Sequence, residues 1–235
     1  MKNRTKGVIA GLTGLALLTG GTTFALWQDQ ATAAGGVITN GNLDVATVTP
    51  LSWYDTSTDR TDVTAGANTI SGSAGHAISD ITTWRLVPGD KVEGNLGLEV
   101  ALSGDNLVAT LGVGSTALTG LPAGVTVTYD VYRAAQGAET TPQRVVTDAA
   151  FGAATTLRFA APRTGQAAGN PANTGTIVVS KTATNGTANV WVVVKVAFAA
   201  GTTGSTAAAT MNATTTLGTI TATLSQVRTG TDFTP

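Results

Sequence analysis

The side chains that carry chemistry are sparse in this chain of 235 residues. The only histidine is His76, in GSAGHAISD. A zinc hydrolase site draws two or three imidazoles from spacings such as H-E-x-x-H, and one histidine does not supply them. A serine nucleophile would have His76 as its sole imidazole base, and the G-x-S-x-G elbow is missing. There is no cysteine, which removes thiolate metal sites, cysteine nucleophiles and disulfides. Paired carboxylates remain a route to glycoside hydrolysis, but the 14 acidic residues fall mostly in turn-rich stretches. No phosphate loop or dinucleotide fingerprint is present.

One acidic stretch has metal-ligand spacing. DTSTDRTD, residues 55–62, sets Asp55, Ser57 and Asp59 at the i, i+2, i+4 positions of a calcium loop. The sixth position, which requires glycine, is Arg60, and the twelfth, which requires glutamate, is Gly66. A solvated loop with at most weak calcium binding is expected. We expect no catalytic residue, no metal ligand and no cofactor. The formal net charge of −1 supplies no basic footprint for nucleic acid.

The elements that would position any site read as strands. VEGNLGLEVAL, residues 92–102, alternates clearly. Val92, Leu96, Leu98, Val100 and Leu102 share one face, and Glu93, Asn95 and Glu99 the other, as in a half-buried strand. LDVATV (43–48), LVATLGV (107–113), VTVTYDVY (125–132) and TITATLSQV (219–227) follow the same period. Asn185-Gly186 lies between TIVVSKTA and ANVWVVVKVAF and predicts a hairpin turn. LVPGD (86–90) predicts a type II turn, with Pro88 at i+1 and Gly89 at i+2. Residues 55–77 and 134–176 read as long loops, with at most a short helix near Asp148. No helical amphipathy spans three turns after the N-terminus. The expected fold is all-β: a single antiparallel sandwich, jelly-roll-like, over residues 37–235. Trp53 and Tyr54 are expected to close the sandwich end, with a stacking platform for carbohydrate as the alternative.

The N-terminus reads as an export signal. Lys2, Arg4 and Lys6 precede the apolar run Val8–Leu18, and no charge appears before Asp29. Thr23 and Ala25 offer small residues at −3 and −1, which predicts a signal peptide of residues 1–25 and Leu26 as first mature residue. Cleavage after Ala33 or Ala34, in ATAAGG, is the alternative.

The stretch GGTTFALWQDQATAAGGVITNGNLDV, residues 20–45, resembles the start of the TasA/camelysin-like secreted proteins, which carry an alternate-type signal peptide. The residues that carry the resemblance are Phe24-Ala25, Trp27-Gln28-Asp29 and Gly41-Asn42-Leu43-Asp44-Val45. Pro88-Gly89-Asp90 and the C-terminal strand ending LSQVR are also similar. The resemblance implies a jelly-roll-like sandwich, a specialised signal peptidase, and fibres of the extracellular matrix or cell surface. It implies that residues 26–36 form an extended donor segment adding as a strand to the next copy, with the membrane involved only in the precursor. In such a strand Trp27, Ala31 and Ala33 point one way, and Leu26 begins it. The camelysin branch is classed as metalloprotease, but one histidine and no cysteine give no site to carry over. A monomeric secreted binding module, adhesin or carbohydrate-binding, is the alternative function.

Overall fold

The alternating stretches become strands because each buries one row of Val, Leu or Tyr and leaves the other row to a polar covering. The computed structural model describes residues 40–59, 68–104, 107–116, 118, 121–151, 157–161, 176–179, 184–201 and 217–227. The expected signal peptide and donor segment lie outside the described residues. Among the described residues ten strands are seen: β1 (Asn42–Asp55), β2 (His76–Ile78), β3 (Lys91–Ser103), β4 (Val108–Ser115), β5 (Val125–Arg133), β6 (Gln143–Ala149), β7 (Arg158–Ala160), β8 (Thr176–Val178), β9 (Val190–Phe198) and β10 (Ile220–Val227). They build a six-stranded sheet in the order β2-β1-β3-β9-β5-β6 and a four-stranded sheet in the order β10-β4-β7-β8. The expected all-β sandwich is thus the fold. Among the described residues no helix occurs, and the pairings are antiparallel except for the parallel β7–β8 pair.

The core lies between the sheets. Leu98, Val100 and Leu102 of β3, Tyr129 and Val131 of β5, and Val192 and Val194 of β9 meet Leu111 of β4 and Phe159 of β7. Trp53 of β1 is part of this core and its ring lies over Gly94. A Cβ at Gly94 would stand 2.9 Å from two carbons of that ring, so the glycine is what lets the indole pack flat on the sheet. Trp53 is therefore a core residue and not a stacking platform. Tyr54 is half-buried, one residue along β1.

The LVPGD turn forms as expected. Asp90 N–H donates to the Val87 carbonyl at 3.0 Å, and Gly89 has φ 106°, which no L side chain adopts cheaply. Asp90 Oδ2 also accepts from Val87 N–H at 2.8 Å.

Other expectations are corrected. Asn185-Gly186 is not a hairpin turn, because β8 and β9 belong to different sheets and the chain crosses between them there. β3 is not half-buried. Its second face, with Asn95 and Glu99, is also covered, Glu99 being 1% exposed. The presumed loop 134–176 contains β6 and β7. Asp148 sits in β6, in a left-handed conformation with φ 50°.

Candidate functional site

Four arrangements of polar groups or open backbone are candidates. The first contains the calcium-like stretch and the lone histidine. Asp55 is buried at the end of β1, and its Oδ1 accepts hydrogen bonds from Ser57 N–H at 3.1 Å and Ser57 Oγ at 2.6 Å. β2 pairs His76 with Asp55, which puts Nε2 3.8 Å from Asp55 Oδ2. Serine, aspartate and histidine are thus neighbours in the wrong sequence for a triad. The hydroxyl is hydrogen-bonded to the carboxylate, whereas a catalytic imidazole must stand between them. The Asp55 and Ser57 oxygens bond to each other within a tight turn, where calcium ligands would diverge around an ion. Asp59 is exposed. Among the described residues no cluster of three or more His, Asp or Glu is arranged to hold a metal.

Beside it lies a cavity of about 530 Å³ lined by Thr56, Ser57, Ser73, Lys91 and Glu93. Glu93 is already engaged. Its Oε2 accepts from Asn68 Nδ2 and Ser71 Oγ, both at 2.6 Å, and its Oε1 from Ser73 Oγ at 2.9 Å. Asn68 in turn exchanges side-chain amide bonds with Asn95. These contacts fasten the 68–73 turn over the outer face of β3.

A third cluster spans β5, β6 and β9. Lys195 Nζ lies 2.7 Å from Asp130 Oδ1 and also pairs with Asp148. Asp130 Oδ1 further accepts from Asp148 N–H at 2.7 Å, and Arg144 approaches Oδ2 at 3.6 Å. Burial works against the Lys195 charge, but the two carboxylates outweigh it and raise its pKa. The hydrogen bond from Lys195 lowers that of Asp148. Opposite charges matched in this way hold three strands together.

A surface pair close by yields a direct pH prediction. Arg133 grips Glu139 through two bonds, at 2.6 and 2.8 Å, and Gln136 N–H adds a third at 2.8 Å. The guanidinium and then this N–H hold the Glu139 carboxyl down to about 2. A depressed pKa means that the contribution to stability is complete above the unfolded value of about 4.3. It disappears as pH falls through about 2. In a side-chain carboxyl NMR titration Glu139 is expected to stay ionised at pH 3, and Arg133→Ala to raise the midpoint toward the ordinary range, with the Gln136 N–H still holding it below.

The fourth candidate is backbone. β1 is 14 residues long, yet β2 covers only Trp53, Tyr54 and Asp55 on its outer side. Among the described residues no strand pairs with the outer edge of β1 from Asn42 to Ser52. The groups that face this edge follow from β3. Val100 N–H donates to Asn189 Oδ1 and Asn189 Nδ2 donates to the Val100 carbonyl, both at 2.8 Å, while Asn189 N–H donates to the Leu98 carbonyl at 3.0 Å. The backbone of Leu98 and Val100 therefore points away from β1. Their partners Thr47 and Val45, and Leu43 by the same alternation, point their own N–H and C=O away from β3, into the open edge. Pro50 and register shifts on either side of Thr49 break the regular edge beyond Thr47.

No protein-family model, curated protein or solved structure matches this chain. The reading of the site accordingly rests on its geometry. Thr23, Ala25, Leu26, Trp27, Ala31 and Ala33 all lie outside the described residues. The open edge begins at Asn42, shortly after them in sequence. Sequence reasoning missed Glu99, Asn189 and the Asp130–Lys195–Asp148 cluster. Glu99 and Asp130 did carry a signal, being charged residues inside strong alternating runs.

Proposed function

We propose that this chain is a secreted, non-enzymatic structural protein that assembles head to tail into fibres of the extracellular matrix or cell surface. In this reading a signal peptidase cleaves after Ala25, the membrane holds only the precursor, and the freed segment from Leu26 adds as a strand to another copy. The observation that carries the reading is the open edge of β1. Unpaired N–H and C=O groups along an edge template a further strand. A donor segment satisfies them with main-chain bonds and places alternate side chains on the sandwich. Head-to-tail donation does not close on itself, so it extends into a filament. The resemblance of residues 20–45 to the TasA/camelysin-like proteins supports the same reading. The engaged carboxylates of the outer face favour a structural role over a hydrolytic one.

Electron microscopy of the purified chain beginning at Leu26 tests this. Filaments that appear above a threshold concentration are expected. A chain that remains monomeric at every concentration overturns the reading in favour of the monomeric binding module.

A further inference from the structure

We propose that the strand-accepting site is the regular N-terminal half of the β1 edge, Asn42 to Thr47, with Leu43, Val45 and Thr47 supplying the main-chain groups. This rests on the fibre reading and deepens it by naming the surface that receives the second copy.

Three observations place the site there. The first is the direction of the backbone groups. Leu43, Val45 and Thr47 face the open edge, while Asn42, Asp44 and Ala46 face β3. The second is regularity. Asn42 to Thr47 keeps an unbroken register with Ser103 to Leu98, whereas the rest of the free edge carries two register shifts and a proline that has no N–H to offer. An incoming strand thus has a defined end point. The third is the exposed apolar side chain. Leu43 is 36% exposed, an unusual state for a large hydrophobe here, while Val45, two residues on, packs partly on the core. Both lie on the side of β1 that faces the other sheet, where β1 approaches β10. A donor strand paired with Leu43 and Val45 would bring its own alternate side chains, among them Trp27, alongside Leu43 and cover it.

The occupant is the segment Leu26–Ala34 of a second copy. It carries no Pro or Gly that would interrupt pairing, and its nine residues exceed the six of the acceptor. Its own chain is a competitor for the same edge, because only residues 35–41 separate the two. Exchange between copies therefore gains as concentration rises.

Thr47→Pro is the test. It deletes one outward N–H and none that bonds to β3, and proline is tolerated where a strand N–H faces solvent. The mature Thr47→Pro chain is expected to keep the β-sheet circular dichroism and the melting temperature of the parent. The concentration needed for filaments should rise about tenfold or more. Because its donor is intact, adding it in small amounts to the parent chain should shorten the parent filaments. Should proline disturb the fold, Leu43→Lys keeps every backbone group, places a charge on the docking face and has the same expected effect. Filaments of Thr47→Pro and Leu43→Lys at the parental concentration overturn the proposal while parental filaments leave the fibre reading standing. If the parent itself forms none, both fall.

Discussion

Removing Leu26–Ala34, so that the chain begins at Gly35, is expected to abolish filaments and leave monomers with unchanged β-sheet circular dichroism. The size of this effect follows from how finely the association is balanced. Leu43, Val45 and Thr47 exchange up to about six main-chain hydrogen bonds with a donor strand, worth about 1 kcal/mol net each. Burial of Trp27 adds about 2–3 kcal/mol. Ordering roughly six tail residues costs about 1–2 kcal/mol each. The terms nearly cancel, so assembly has a concentration threshold and the donor cannot be partly dispensed with. Sedimentation velocity and negative-stain microscopy at matched concentrations check this. Filaments from the shortened chain at the parental threshold would move the contact to the sheet faces. Trp27→Asp is expected to act in the same direction without unfolding, since it precedes β1, the first strand among the described residues.

The second large effect concerns stability. Glu99→Ala is expected to cost about 2–4 kcal/mol, because hydrogen bonds to a charged acceptor are worth about 1.5–3 kcal/mol each. The Glu99 carboxylate accepts from Asn185 N–H at 2.7 Å and from Gly186 N–H at 2.8 Å. It thereby fixes the chain where it crosses from one sheet to the other. Two converging donors require a group that only accepts. Glu99→Gln keeps the volume but turns an NH₂ toward one donor, so it should rescue little of the loss. For a chain of this size each 1 kcal/mol moves the melting temperature by about 2–4 °C. Calorimetry should therefore show a fall of about 5–15 °C for Glu99→Ala. An unchanged melting temperature in both variants would mean that the crossing is held by its apolar flanks alone.

The extent to which the fold could be read from sequence depended on strand length. β3, β5 and most of β10 carry alternation whose apolar rows fall where the period predicts, and β9 shows as a continuous apolar run buried in both rows from Val192 to Val194. β6 and β7 were hidden, whereas β8 falls at the start of the run TIVVSKTA. β7 is only three residues, too short for a period, and β6 is an edge strand with no strongly buried row. Asn185-Gly186 misled because turn chemistry is local, whereas whether two flanking strands pair depends on which sheet each joins. The same limit applied to the site. The expected donor segment lies outside the described residues. The open edge of β1 was not legible, because an open edge is a property of strand order. Pro50 and the odd length of β1 acquire meaning only once β2 is seen to cover three of its residues. The Asp55–Ser57–His76 neighbourhood was also illegible, since its residues meet through β-pairing over some twenty positions, and their order round the carboxylate is a matter of geometry.

The position of β9 has a consequence for biogenesis. Val190–Phe198 lies between β3 and β5, registering with β5 along its whole length and with β3 from Val190 to Ala197. Until those residues have been synthesised and delivered, β3 and β5 have no common partner and the larger sheet is two separate pieces. Contacts that join positions about a hundred residues apart form slowly, because the chain must close a large loop before any bond rewards it. The nascent chain therefore cannot lock into its final shape early. In the secreted, fibre-forming role proposed above, this would suit export as an unfolded thread, with the sheet that carries the accepting edge completed only once Val190–Phe198 has been delivered.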